Sequence, residues 1–373
     1  MGAQPEPATT DTPRRSFFAW LRRWAYRVFF LVIFVVAILL VAGFLWERSA
    51  SASFEARFPP PGEKVTLEDG HRLHFVIRGE GEPTLILESG GGGPHLDWDP
   101  VIDRLAEVTR VVAYDRAGLG WSDSTTLPRD SKAIVGELHE ALDTLGIDGP
   151  KVMAGHSLGG LYVRHYTALY PEDIVGLVLV DASHEDQMSR MPEPLIDSMA
   201  MMTRVMGLLG KVSRVGVLRA MTALGVNPLA AEGASAIRTE LASRGEMMRA
   251  SVAEYDMLEL SDRQVRDSVR PLGDMPVLVL TADELADPAS QMPSFMAEHY
   301  PAMREAWLEL QADLAGLSTN SRHLIVPGAG HYVHHDNPDV VVAEVTALID
   351  AIRAGRPLDG ADESAGDFDG ADQ

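Results

Sequence analysis

Apolar residues recur along this chain with three different spacings. Residues 28–46 (VFFLVIFVVAILLVAGFLW) are 19 in a row without a charge, close to the roughly 20 needed to cross a bilayer core as a helix. From residue 64 the pattern breaks into short apolar runs separated by amphipathic stretches. Lys64–Leu67 and His71–Ile77 flank Asp69-Gly70, a hairpin signal. Further strands are predicted at Pro83–Glu88 (PTLILE), Arg110–Tyr114 (RVVAY), Lys151–Ala154, Ile174–Val180 (IVGLVLV), Pro276–Leu280 (PVLVL) and His323–Val326 (HLIV). Between them, Ile134, Val135, Leu138, Ala141, Leu142 and Leu145 repeat at helical spacing. Helices are also predicted after residue 157, near 294–315 and over 338–353. Continuous apolar strands alternating with helices predict an α/β fold, a mainly parallel sheet covered on both faces.

Two segments depart from this rhythm. Residues 185–272 contain no convincing strand and hold 10 of the 16 methionines. They are expected to form a helical cap over one end of the sheet, splitting the core into 54–184 and 273–355. Methionine fills irregular core space, and it also lines adaptable apolar pockets. The tail at 356–373 is rich in Gly, Ala and Asp, with acidic residues at 359, 362, 363, 367, 369 and 372. It reads as a solvated, disordered end, as do residues 1–13.

Charge sharpens the picture of the N-terminus. Arg14, Arg15, Arg22, Arg23 and Arg27 precede the apolar stretch, whereas Glu47 and Arg48 follow it. Arginine stays on the cytoplasmic side, so residues 1–27 are expected inside, 28–46 across the membrane as a signal-anchor, and the remainder outside. Trp20, Trp24, Tyr26 and Trp46 stand where interfacial aromatics belong. A cleaved signal peptide is the competing expectation, because Ala50-Ser51-Ala52 offers a small-residue cleavage pattern. The apolar stretch nonetheless exceeds the 7–15 residues usual for a signal core.

Overall the chain of 373 residues carries a formal net charge of −22 and no cysteine. The acidic balance argues against a nucleic-acid partner. Lack of cysteine removes disulfides, thiolate zinc sites and thiol nucleophiles.

The chemistry is concentrated in three loops that follow strands. Gly155-His156-Ser157-Leu158-Gly159 is a G-x-S-x-G pattern directly after the strand KVMA and directly before a helix. A serine on such a sharp turn has an exposed hydroxyl, flanking glycines avoid clashes, and the helix N-terminus faces developing negative charge. Ser89-Gly90-Gly91-Gly92-Gly93-Pro94 follows PTLILE. Backbone N–H groups of Gly91 and Leu158 are the candidate oxyanion donors. A dinucleotide-binding loop fails on spacing, since the third glycine would fall at His95. His331, in Gly328-Ala329-Gly330-His331, is the candidate general base. A metal site from His331, His334, His335 and Asp336 is weaker, because no further ligand is evident; His334 and His335 are expected at the rim or surface. The orienting carboxylate should follow PVLVL. Asp287 is the first choice because Asp-Pro opens a turn there, Asp283 is second, and Asp181, at the end of the preceding strand, is third.

These residues resemble the α/β-hydrolase superfamily from about 64 to 353. The resemblance rests on the glycine loop at 89–94, Tyr-Asp-Arg-Ala-Gly-Leu-Gly-Trp-Ser at 114–122, GHSLGG at 155–160 and Gly-x-Gly-His at 328–331. It implies the nucleophile, acid, base order along the chain and a helical cap after the sixth strand. Ser at 157 disfavours the Asp-nucleophile branches. Two departures are plain: Ser89 stands where many relatives have His, and Ala282 where a Gly is usual after the seventh strand. The activity expected is hydrolysis of a carboxylic ester through an acyl-enzyme on Ser157, a neutral and hydrophobic ester if the Met-rich cap lines the pocket, with no cofactor or metal. An amide hydrolase of the proline-iminopeptidase type and a non-catalytic, membrane-tethered binding protein are the alternatives.

Overall fold

A computed structural model describes residues 14–227, 235–283 and 294–358, with the backbone alone at 14–16 and Phe295. Eight strands form one sheet: β1 (Glu63–Thr66), β2 (Arg72–Arg78), β3 (Thr84–Glu88), β4 (Val111–Asp115), β5 (Lys151–His156), β6 (Ile174–Val180), β7 (Val277–Ala282) and β8 (Ser321–Val326). Their order is β1-β2-β4-β3-β5-β6-β7-β8. The pairs β1–β2 and β2–β4 are antiparallel and the rest parallel. The Asp69-Gly70 turn is present, with Gly70 at φ 92°.

The apolar runs alternate faces as strand geometry requires. Ile86, Val112, Met153, Leu177, Leu179, Val277 and Val279 point to one core layer. Leu85, Leu87, Val111, Ala113, Val152, Ala154, Val178, Val180, Leu278 and Leu280 point to the other. Each layer is closed by helices. Helix α1 (Arg14–Ala52) precedes the sheet; α2 (Asp99–Leu105) lies on the second face, and α3 (Ser131–Thr144) and α4 (Leu158–Leu169) on the first. Asp130 caps α3 by accepting from the N–H groups of Lys132 and Ala133.

Between β6 and β7 the longer described elements are helical: α5 (Glu193–Val212), α6 (Val217–Ala223), α7 (Ala236–Ser243), α8 (Gly245–Asp256) and α9 (Leu258–Ser268). Their methionines divide. Met191, just before α5, and Met248 are buried, whereas Met199, Met201 and Met202 are exposed on α5. Helices α10 (Tyr300–Ala315) and α11 (Pro338–Ala354) complete the two outer layers. The chain stays packed slightly past 356: Leu358 is buried and its N–H donates to Asn320 Oδ1 (2.9 Å). The expected disorder at 1–13 and over the rest of the tail falls outside the described residues.

Helix α1 is much longer than its 19-residue apolar centre. It is long and apolar enough to cross a membrane, and its apolar window is exposed throughout. Its last turns are not free. Glu47 is buried, accepts from the Gly245 N–H (3.0 Å), and pairs with Arg219 (2.6 Å). Gly43 lies so close to Val215 that a Cβ there would sit 2.2 Å from the Val215 carbonyl oxygen.

The strand order sets the site. Order β4-β3-β5 means the chain leaves β3 toward one edge and returns on the other side of β3. The crevice between the carboxyl ends of β3 and β5 is therefore a topological switch point, where ligands bind in such sheets. The glycine loop leaves β3 and Ser157 leaves β5, so both open into this crevice.

Candidate active site

Ser157 occupies the turn between β5 and α4 at φ 51°, ψ −123°, a conformation that side-chain-bearing residues rarely adopt. The turn is held by Ser157 N–H donating to the Val180 carbonyl (3.1 Å) and by Ser183 N–H donating to the Ser157 carbonyl (2.8 Å). The flanking glycines are required by contact. A Cβ on Gly155 would lie 2.5 Å from the Gly159 carbonyl oxygen; one on Gly159 would lie 2.5 Å from that of Glu88.

The Ser157 Oγ is 3.0 Å from Nε2 of His331, and His331 Nδ1 is 2.6 Å from Asp181 Oδ2. Asp181 leaves β6 in a left-handed conformation (φ 42°), which Asp tolerates better than most residues. That turn aims the carboxylate along the sheet edge. Its other oxygen accepts from Ala282 N–H (3.0 Å) and from the Trp307 indole (2.8 Å), so both oxygens of this buried carboxylate are hydrogen-bonded. Among the described residues, Asp181, the third choice of the carboxylates weighed from sequence, meets His331. Asp283 instead accepts from the Gly328 N–H (2.9 Å) and ties β7 to the His331 loop. Asp287 lies outside the described residues.

His331 is exposed, but the ring behind it is not. His156 is buried and donates from Nε2 to the His331 carbonyl (2.9 Å). Burial, helped by neighbouring His331, lowers its pKa from 6.5 to about 3, so it stays neutral. His334 was expected at the rim; it is wholly buried and stacks on Trp98 (4.5 Å between centroids). Burial and His156 push it down to about 2. His335 is exposed, and its Nε2 meets the Asp97 carbonyl (2.7 Å). Asp336 accepts from Gly330 N–H (2.8 Å). These four side chains of the His331 loop thus have separate partners.

Among the described residues, the cluster able to hold a metal is His74, His95 and Asp115. Asp115, however, is already saturated. Its oxygens meet His74 Nδ1 (2.8 Å), His95 Nδ1 (3.0 Å) and the N–H groups of His95 (2.8 Å) and Trp121 (3.0 Å). Those four contacts fill a carboxylate's four acceptor positions. This arrangement braces the turn at 115–122.

The glycine loop is fastened by residues that sequence inspection did not single out. Arg116, wholly buried, donates to the carbonyls of Ser89 and Gly90 (2.7 Å each) and to both oxygens of Glu254 on α8 (2.7 and 2.9 Å). It also pairs with Glu88, which bonds the Tyr114 hydroxyl. Glu254 in turn accepts from the Gly92 N–H (2.8 Å). Arg116 stood in the quoted 114–122 stretch; nothing marked Glu254, which comes from 138 residues further along.

Known proteins agree with this architecture. The model of the alpha/beta hydrolase family matches residues 85–344, and the chain belongs to that family. It is 26% identical over 296 residues to an AB hydrolase superfamily protein of Gibberella zeae, covering 73% of this chain and 88% of that one. It is 25% identical over 311 residues to the probable transporter efuK of Hormonema carpetanum, covering 77% of this chain but only 43% of that protein's length. The crystal structure of Cfl2 from Burkholderia cenocepacia superimposes with a TM-score of 0.58 at 23% identity, over 77% of this chain and 95% of that one. Esterases, an epoxide hydrolase and an enol-lactonase occur among solved structures of the same fold.

Proposed function

We propose that the protein is a single-pass membrane hydrolase that cleaves a carboxylic ester through an acyl-enzyme on Ser157. The observation that carries this reading is the unbroken contact from Ser157 Oγ through His331 to Asp181, at 3.0 and 2.6 Å. His331 Nε2 takes the Ser157 proton as Oγ attacks the ester carbonyl, and returns it to the departing alkoxide. Water, deprotonated by the same nitrogen, then attacks the acyl carbon and releases the acid and free serine. Asp181 fixes the imidazole and stabilises the imidazolium.

The oxyanion is held by Leu158 N–H, first in α4, and by Gly91 N–H. Two other loop amides are already engaged: Gly92 with Glu254, and Gly93 with the Gly90 carbonyl (3.0 Å). Ester is favoured over an aminopeptidase substrate because Glu254, a carboxylate that reaches this loop, has both oxygens taken by Arg116 and the Gly92 N–H. It is thus not available to a substrate ammonium.

The anchor is favoured over a cleaved leader by Glu47 and Gly43. Cleavage after Ala52 would strip the cap of the buried Glu47 contacts to Arg219 and Gly245. Fluorophosphonate labelling of the full chain beside Ser157→Ala tests the chemistry. Labelling confined to the wild type is the expected result; absence of labelling in folded wild type refutes the proposal.

A further inference from the structure

The cap carries a surface that the catalytic reading does not use. On α5, Met201, Val205, Leu208 and Val212 follow one another at spacings of four, three and four, and all are exposed, Leu208 by 63%. That spacing places them on one helix face. Met202 widens the stripe, and Leu224 and Val226, just past α6, are exposed as well.

Beside the stripe, between α5 and α8, runs a groove of about 710 Å³. Arg204, Lys211, Arg214 and Arg249 line it, with Asp256 the acidic member. In a chain of net charge −22, four basic side chains around one carboxylate is a local reversal of sign. Among the described residues Arg204, Lys211 and Arg214 form no salt bridge. Arg249 donates to Ser213 Oγ (3.0 Å), and burial together with neighbouring Arg214 pushes its pKa down.

The position of this surface is set by α1. Gly43 touches Val215, in the turn that joins α5 to α6. Gly43 lies three residues before the end of the apolar stretch at Trp46, about 4–5 Å along a helix. The end of α5 is therefore level with the end of the segment read as membrane-spanning. An amphipathic helix ending there, apolar outward and flanked by unpaired bases, has the features of one that seats in a bilayer interface.

We propose that the exposed face of α5 and the groove behind it form a second membrane contact, seated on anionic phospholipid. The stripe would enter the acyl boundary, and Arg204, Lys211, Arg214 and Arg249 would take lipid phosphate oxygens. The inference rests on the anchor reading above. It also has a functional sense. Helix α8 is the shared wall: Arg249, Val252 and Asp256 face the groove, whereas Ser251, Glu254 and Tyr255 face the glycine loop. Lipid in the groove therefore braces the helix that holds Gly92.

Because the chain lacks cysteine, single-cysteine labelling is clean. The full chain is placed in nanodiscs of phosphatidylcholine with and without phosphatidylglycerol. A polarity-sensitive fluorophore is attached at Leu208→Cys or Val212→Cys, at Val35→Cys in the anchor, and at Ile325→Cys, exposed on the edge strand β8. Lipids spin-labelled on the acyl chain serve as quenchers. Expected is quenching at 208 and 212 at least about threefold above that at 325, increased by phosphatidylglycerol. Arg204→Gln/Lys211→Gln/Arg214→Gln should remove that increase. Quenching at 35, with 208 and 212 no different from 325, overturns the inference and leaves the anchor standing. No quenching at 35 overturns both.

Discussion

Asp181 and His331, 150 residues apart in sequence, meet at 2.6 Å because β6 and β7 are neighbours and the His331 loop follows β8, the next strand. The carboxylate comes from the end of β6, one strand earlier than the position first favoured from sequence. Asp181→Asn should reduce kcat by about a thousand- to ten-thousand-fold, since the amide supports the wrong imidazole tautomer. Thermal stability should change far less. Asp287→Asn should stay near wild type. Steady-state kinetics on a chromogenic ester compares the two, and the opposite ranking would assign the role to Asp287.

Trp307 donates to the second oxygen of Asp181. Trp307→Phe should lower kcat by about tenfold to a hundredfold, the effect of one lost hydrogen bond to a charged group, with KM for a small ester nearly unchanged. A change confined to KM would make the indole a pocket wall instead.

Arg116 bridges the glycine loop and α8. Arg116→Met leaves Glu88 and Glu254 buried without their cation, and should cost about 3–5 kcal/mol of stability. Glu254→Gln keeps the shape and the Glu88 partner. It should fold, and lose kcat through a loosened loop. Denaturant melts together with kinetics separate the two effects; an unaffected kcat in Glu254→Gln would reduce this network to a structural brace.

Gly159→Ala would place a methyl 2.5 Å from the Glu88 carbonyl oxygen and 2.7 Å from that of Ser89. The loop must move away from Ser157 to accept it. Overpacking of this kind costs about 1–3 kcal/mol. Fluorophosphonate labelling should slow more than the melting temperature falls, because the displaced atoms sit beside the nucleophile.

His156 and His334 are buried neutral, with pKa values near 3 and 2 against the ordinary 6.5. The unfolded chain takes up these protons at higher pH than the folded one. Their neutral burial is therefore fully tolerated above about pH 6.5, and stability falls as the pH drops from there toward 3 and 2. The loss is at most about 1.4 kcal/mol per pH unit per histidine. Melting temperatures between pH 7 and 4.5 should fall less steeply in His334→Phe than in wild type. Parallel slopes would refute this account.

The sheet was largely visible in the sequence because its inner strands, β3 to β7, are buried on both faces and so read as unbroken apolar runs; β6 lies at 174–180 as expected. The serine elbow and the histidine loop were visible because sharp turns demand glycine. The candidate acid was not, since a carboxylate after a strand is as common a helix cap as a catalytic group. The geometry that selects Asp181 lies in its φ of 42° and its tertiary partners. Glu254 was hidden for a similar reason: one acidic residue on an amphipathic helix gives no sign that it reaches a loop in another part of the chain. The burial of His334 depends on Trp98, which no local pattern reveals.

Helix α1 runs without a break from Arg14 to Ala52, and its far end is clamped through Glu47 to Arg219 and Gly245. With residues 28–46 in a bilayer, such a stem has no swivel. On the proposed reading the head stays close to the membrane surface, and its encounters become a search in a plane. Concentration for a protein so anchored is then molecules per unit area of membrane.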